Sequence, residues 1–102
     1  MEIKHKKIND NLYIYFSGEL DEYSASLIRN RLDGVIEDNL SCKSVIFDFC
    51  NLKFMDSTGI GVILGRYKKF FRYQVPFYIQ NPSPTIDKVL DLSGIYDIMP
   101  AI

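Results

Sequence analysis

The chain is poor in the side chains that carry most enzyme chemistry. Among its 102 residues there is one histidine, His5, and only two cysteines, Cys42 and Cys50. The cysteines flank the apolar run Val45-Ile46-Phe47-Asp48-Phe49, and eight extended residues at about 3.3 Å each set them roughly 26 Å apart, too far to pair with one another. There is no CxxC, and no apolar segment of secretory or membrane length appears. These absences point to a reduced, cytoplasmic setting and away from a membrane partner. An excess of charge of one sign is missing too, because 12 Lys and Arg against 13 Asp and Glu leave a formal net charge of -1. A phosphate-backbone binder needs a basic footprint, so no direct nucleic-acid partner is expected. Two local basic runs, Lys4/Lys6/Lys7 with His5 and Arg66/Lys68/Lys69/Arg72, read as solvated faces.

What is present is the composition of a folded domain. Apolar residues make up 47% and charged residues 25%, and the length suits one core, so residues 1–102 are read as a single domain. No repeat, linker or low-complexity tract interrupts it. Leu12-Tyr13-Ile14-Tyr15-Phe16 alternates like a strand with one face inward, Ile3 to Ile8 is a weaker strand, and Asn9-Asp10-Asn11 between them has turn chemistry, which together predict an antiparallel hairpin. From Ala25 the apolar residues Ile28, Leu32, Val35 and Ile36 recur as a helical stripe, with Asp21 placed to cap its start and Asn39 and Ser41 marking its end. Gly34 inside that stripe costs about 1 kcal/mol against alanine, which implies compensating packing or a useful close approach.

Val45 to Phe49 reads as a buried strand, and Ile60, Ile63, Leu64, Tyr67, Phe70 and Phe71 as a second helical stripe. Val75 to Ile79 forms a further strand in which Pro76, lacking an N–H, belongs at an edge or among the first residues. Ser83-Pro84 is a helix start and Ser93-Gly94 a stop. Strand, strand, helix, strand, helix, strand, helix describes an α/β domain: a mixed sheet of four to five strands, opened by an antiparallel hairpin and continued by right-handed crossovers.

The informative stretch is Phe54-Met55-Asp56-Ser57-Thr58-Gly59-Ile60-Gly61. Three short polar residues stand between a buried strand and a helix, where the first N–H groups lack partners and the helix dipole favours negative charge. One of the three caps the helix. A hydroxyl at such a place is also well situated to carry a phosphate. Enzyme readings fail on the same residues. A serine nucleophile elbow needs glycine two residues before the serine, where Met55 stands, and no histidine lies beyond the N-terminal strand. Gly59, Gly61 and Gly65 have the wrong spacing for a dinucleotide fingerprint, and no Gly-Lys-Ser/Thr supplies a P-loop. A receiver domain phosphorylated on Asp48 or Asp56 would need an early acidic pair and a late lysine in context, and both are missing. Gly59, Gly61 and Gly65 lie near one helical side, either packed on the sheet or presenting a smooth surface to a partner.

Met55-Asp56-Ser57-Thr58-Gly59-Ile60-Gly61-Val62-Ile63-Leu64-Gly65-Arg66-Tyr67-Lys68 closely resembles the signature of the anti-sigma factor antagonists of the STAS-domain family, and its tail is similar to the sporulation-specific branch. Gly18-Glu19-Leu20-Asp21 resembles the family's loop after the second strand, and Leu90-Asp91-Leu92-Ser93-Gly94-Ile95 its late helix and turn. The resemblance implies a STAS domain and a partner-switching cycle. The unphosphorylated protein binds an anti-sigma factor that is also a serine kinase and so releases a sigma factor. Phosphorylation by that kinase ends the interaction, and a PP2C-type phosphatase restores it. By motif the acceptor is Ser57, the binding loop carries Glu19 and Asp21, and Asp56, Thr58, Gly59 and Gly61 complete the contact. The resemblance implies neither a cofactor nor catalysis by the chain. A STAS scaffold or nucleotide-binding module in another signalling assembly is the alternative. Tyr73-Gln74 stands where relatives often have Gly-Gly.

Overall fold

The computed structural model describes all 102 residues. Asn9 and Asp10 both adopt positive φ, 50° and 66°, the backbone of a two-residue hairpin turn that short Asx side chains tolerate. The turn joins β1 (Glu2–Ile8) to β2 (Asn11–Leu20) in an antiparallel pair. From β2 the chain continues through α1 (Ala25–Glu37), β3 (Ser44–Met55), α2 (Ser57–Phe70), β4 (Phe77–Gln80) and α3 (Pro84–Ser93). The sheet has the order β1-β2-β3-β4, with β2, β3 and β4 mutually parallel. The mixed α/β class and the opening hairpin are as the sequence implies.

Alternation in β2 turns Leu12, Ile14 and Phe16 to a single core, where they meet Val45, Phe47 and Phe49 of β3 and Phe77 and Ile79 of β4. Phe16 packs edge-on against both Phe47 and Phe49, at 5.4 and 5.0 Å between ring centroids. All three helices add their apolar stripes to that same core. The other side of the sheet carries Tyr13, Tyr15 and Tyr78, all half-buried. There Asp48 is buried, and its carboxylate accepts from the Cys50 N–H, the Gln80 amide and the Asn81 amide. Burial, with Asp48 and Tyr13 adding to it, pushes the Tyr15 hydroxyl above its ordinary pKa.

Several boundaries differ from the sequence reading. β2 runs on past Phe16 to Leu20, and β3 runs past Phe49 to Met55. Two irregularities in their pairing give β3 its extra residues, and Gly18, at φ 102°, supplies a backbone angle in this stretch that L side chains rarely take. Gly18, Glu19 and Leu20 therefore belong to a strand rather than to a loop, and only Asp21 lies beyond it. Pro76 precedes β4, an edge strand that begins at Phe77, and its carbonyl accepts from the Val45 N–H. Gly34 has neither of the expected reasons: no atom lies within 4 Å of where its Cβ would stand. Gln74 adopts φ 59°, a left-handed angle that glycine takes without steric cost.

The basic run on α2 is also only partly solvated. Arg66 is on the core-side stripe with Gly59, Val62, Ile63 and Phe70, and is buried. Its Nε lies 2.8 Å from Asp33 Oδ1, while Lys69 reaches Asp33 at 2.9 Å and Glu37 at 3.5 Å. The Arg66 Nε–H is not aimed along its contact, so that pair acts through charge rather than as a directed hydrogen bond. Burial pulls the Arg66 pKa down and Asp33 opposes that pull. The network fastens α1 to α2. Lys68 and Arg72 are exposed, as expected.

Candidate functional site

The site begins where β3 gives way to α2. Asp56 is extended, at φ -109° and ψ -172°, and its carboxylate accepts from the Gly59 N–H at 3.0 Å. It is therefore the helix cap, which costs about 1 kcal/mol to remove. Ser57 and Thr58 occupy the first two helical positions, both exposed. Their own N–H groups have no partner inside the helix, which leaves partial positive charge beside the Ser57 hydroxyl. Capping by Asp56 releases that hydroxyl from structural duty.

Gly59 makes the junction compact. A Cβ there would stand 2.5 Å from the Leu20 carbonyl oxygen and 2.9 Å from the Met55 side chain. The start of α2 is thus pressed against the end of β2, and the Asp56 N–H points to the same Leu20 carbonyl at 3.4 Å. Gly59 packs, while Gly61 and Gly65 have open space where a Cβ would be. Of the two alternatives for these glycines, Gly59 takes the packed one.

Parallel pairing sets Glu19 beside Phe54 and Leu20 beside Met55, so the acidic residues and Ser57 leave the sheet at the same end. Asp21 does cap, but one turn ahead of α1. Its carboxylate accepts from the Tyr23 and Ser24 N–H groups at 3.0 and 3.1 Å, and its own N–H donates to Ser24 Oγ at 3.1 Å. This reciprocal pair is a capping box built with serine. The N-cap of α1 itself, Ser24, makes no capping bond with its side chain, and its hydroxyl donates to the Glu19 carbonyl at 3.0 Å. Ser24 is the residue that sequence reasoning missed. The Asp-x-x-Ser spacing from Asp21 was its available signal.

The model of the STAS domain matches residues 2–102. The chain is a STAS domain. An anti-sigma F factor antagonist of Paenibacillus polymyxa is 37% identical over 89 residues, which is 87% of this chain and 75% of that one. This likeness places the STAS domain in the anti-sigma factor antagonist family. Among solved structures, the anti-sigma factor antagonist SpoIIAA in its unphosphorylated form is 29% identical with a TM-score of 0.79, covering 99% of this chain and 88% of that one. The phosphorylated form of the Bacillus cell fate determinant SpoIIAA matches with a TM-score of 0.70 at 29% identity, over 99% of this chain and 91% of that one. None of the helices in this STAS domain is long and apolar enough to cross a membrane.

Proposed function

We propose that this STAS domain is an anti-sigma factor antagonist whose unphosphorylated form binds an anti-sigma factor with serine kinase activity, and which is switched off by phosphate on Ser57. The observation that carries the reading is the division of labour at the start of α2: Asp56 caps the helix and Ser57 is left exposed beside it. The contact surface comprises Glu19, Asp21, Asp56, Ser57, Thr58, Gly59 and Gly61. Gly59 acts by holding α2 against Leu20, and the others by facing the partner. A phosphoserine adds a charge of about -1.5 to -2, and beside Asp56 in an interface it suffers like-charge repulsion and loses hydration. Both effects oppose docking without requiring the domain to refold.

The kinase supplies the base, the metal and the nucleotide, so the chain catalyses nothing in this scheme, and a PP2C-type phosphatase resets it. The cycle belongs in the cytoplasm. The test is to incubate the protein with its purified cognate anti-sigma kinase and ATP, then locate phosphate by mass spectrometry. Stoichiometric phosphate on Ser57, absent from Ser57→Ala, is expected. Phosphate on Thr58, or undiminished labelling of the alanine variant, would overturn the assignment, and ATP turnover by the chain alone would overturn its non-catalytic role.

A further inference from the structure

Tyr23 and Leu27 are large apolar side chains left 87% and 63% exposed. The core side of α1 is marked by Ala25, Ile28, Leu32 and Ile36. With about 100° between successive residues, Tyr23 and Leu27 fall nearly opposite that side, close together on the outward ridge. Tyr23 sits in a held turn rather than a loose loop. The Ala25 N–H donates to the Asp21 carbonyl at 3.0 Å, which carries helical bonding back to Asp21, and the Tyr23 N–H is fixed by the Asp21 carboxylate. A fixed apolar projection loses little freedom when it is covered.

The same construction on α2 gives a different surface. Its core side is marked by Gly59, Val62, Ile63, Arg66 and Phe70, so Ser57 and Gly61 lie on the outward ridge. Asp33, Arg66 and Lys69 lock the two helices side by side, and both pack the same side of the sheet, so the ridges face the same way. Ser57 thus shares a platform with Tyr23 and Leu27. On α2 the platform is low, with open space above Gly61. On α1 it rises in two apolar projections. A shallow hollow lined by Met1, Gly18, Glu19, Asp21, Tyr23 and Ser24 adjoins them, and Glu22 makes a third acid at this end.

We infer that Tyr23 and Leu27 are apolar anchors for the anti-sigma factor, which presents to them an apolar recess rimmed by basic side chains. The inference rests on the proposed function and deepens it. Continuity with the Ser57 ridge selects this occupant, and the acids Glu19, Asp21 and Glu22 select the charge of the rim. Buried aromatic anchors carry a large share of interface energy, whereas acids at a rim act mainly on approach.

The test compares binding of the purified cognate anti-sigma factor to the unsubstituted chain, to a Tyr23→Ser/Leu27→Ser double variant and to Leu92→Ser. Leu92 is 77% exposed on α3 and serves as a control. The double variant is expected to bind at least thirtyfold more weakly, to be phosphorylated on Ser57 correspondingly more slowly at low partner concentration, and to melt within a degree or two of the unsubstituted chain. Leu92→Ser is expected to change none of these. Equal binding by the double variant would overturn the anchors while leaving the proposed function intact. If the unsubstituted chain does not bind the anti-sigma factor, the function and this inference fall together. If sedimentation shows a dimer of the chain that the double variant abolishes, the platform belongs to a second copy and the inference is wrong.

Discussion

Helices α2 and α3 both have a serine at their start, and they use it in opposite ways. At α3, Ser83 stands at the cap with its hydroxyl accepting from the Ile86 N–H at 3.3 Å, and Pro84 follows at the first helical position. At α2 the cap is Asp56, and the serine is displaced one residue into the helix, where its hydroxyl is exposed. Ser83 is spent on folding, while Ser57 is left exposed, as the phosphorylation proposed above requires. A serine near a helix start is thus uninformative until the cap is known, because a preceding aspartate changes what the hydroxyl is for.

The sharpest way to break this comparison is to place aspartate at both positions. Ser57→Asp adds a permanent negative charge on the outward ridge and is expected to weaken binding of the anti-sigma factor at least a hundredfold, equivalent to about 2.7 kcal/mol. Ser83→Asp is expected to leave binding and melting nearly unchanged, since aspartate caps about as well as serine, within a few tenths of a kcal/mol. Titration calorimetry on both variants decides the matter. If Ser57→Asp binds like the unsubstituted chain, charge at this position does not control docking.

The next effect concerns what holds the free serine in place. Gly59→Ala would put a methyl 2.5 Å from the Leu20 carbonyl oxygen, and neither strand end nor helix start yields cheaply. Overpacking of this kind costs about 1–3 kcal/mol, and better helix propensity returns up to about 1. A net loss of stability is expected by urea unfolding, with phosphorylation of Ser57 slowed as α2 moves off β2. Gly61→Ala meets nothing and is expected to gain up to about 1 kcal/mol. Equal stability changes in the two variants would refute the close approach at Gly59.

Asp21 offers a comparison on the neighbouring turn. Its carboxylate accepts two backbone N–H bonds, and asparagine retains an oxygen able to accept them, so Asp21→Asn is expected to leave the melting temperature almost unchanged. If Asp21 also meets a basic group of the partner, binding falls more than tenfold, equivalent to about 1.4 kcal/mol, and the difference shrinks as salt rises. Equal affinity of the two proteins at low and high salt would make Asp21 a cap and nothing more.

The existence of the helices and both ends of α3 were legible because their signals are local. Ser83-Pro84, Gly94 and the stripe of α1 each act within one or two turns, and the structure places them as read, whereas on α2 the buried face takes in Val62, and Phe71, read as part of the stripe, lies past the helix end and is exposed. The strand ends were not legible. Apolar alternation stops at Phe16, where Ser17, Gly18 and Glu19 follow, yet pairing continues to Leu20 past irregularities in register. In β3 those irregularities shift the parity, so burial after Phe49 runs exposed, exposed, buried twice over instead of alternating. A rule of two cannot follow a strand that changes faces. Arg66 was misread for a related reason: charge suggested solvent, but helical phase sends it inward to Asp33. At the site, Asp56, Ser57 and Gly59 were readable as residues. Which of them caps and which is free was not, since three polar residues in a row offer the same chemistry and only backbone geometry separates their roles.

The smallest expected effect comes from removing each serine hydroxyl. Ser83→Ala deletes an acceptor that satisfies the Ile86 N–H, and such a cap is worth about 1 kcal/mol. Ser57→Ala deletes a hydroxyl at a position already capped by Asp56, and alanine is a better helix former than serine by a few tenths of a kcal/mol. Stability should therefore fall in the first variant and hold or rise slightly in the second. Binding should follow the reverse order of importance: Ser83→Ala keeps the switch responsive to the kinase, whereas Ser57→Ala binds the anti-sigma factor even after prolonged incubation with ATP. Urea unfolding and a binding assay on the two variants test both halves. If Ser57→Ala loses as much stability as Ser83→Ala, the hydroxyl of Ser57 is structural after all, and the division of labour between Asp56 and Ser57 does not hold.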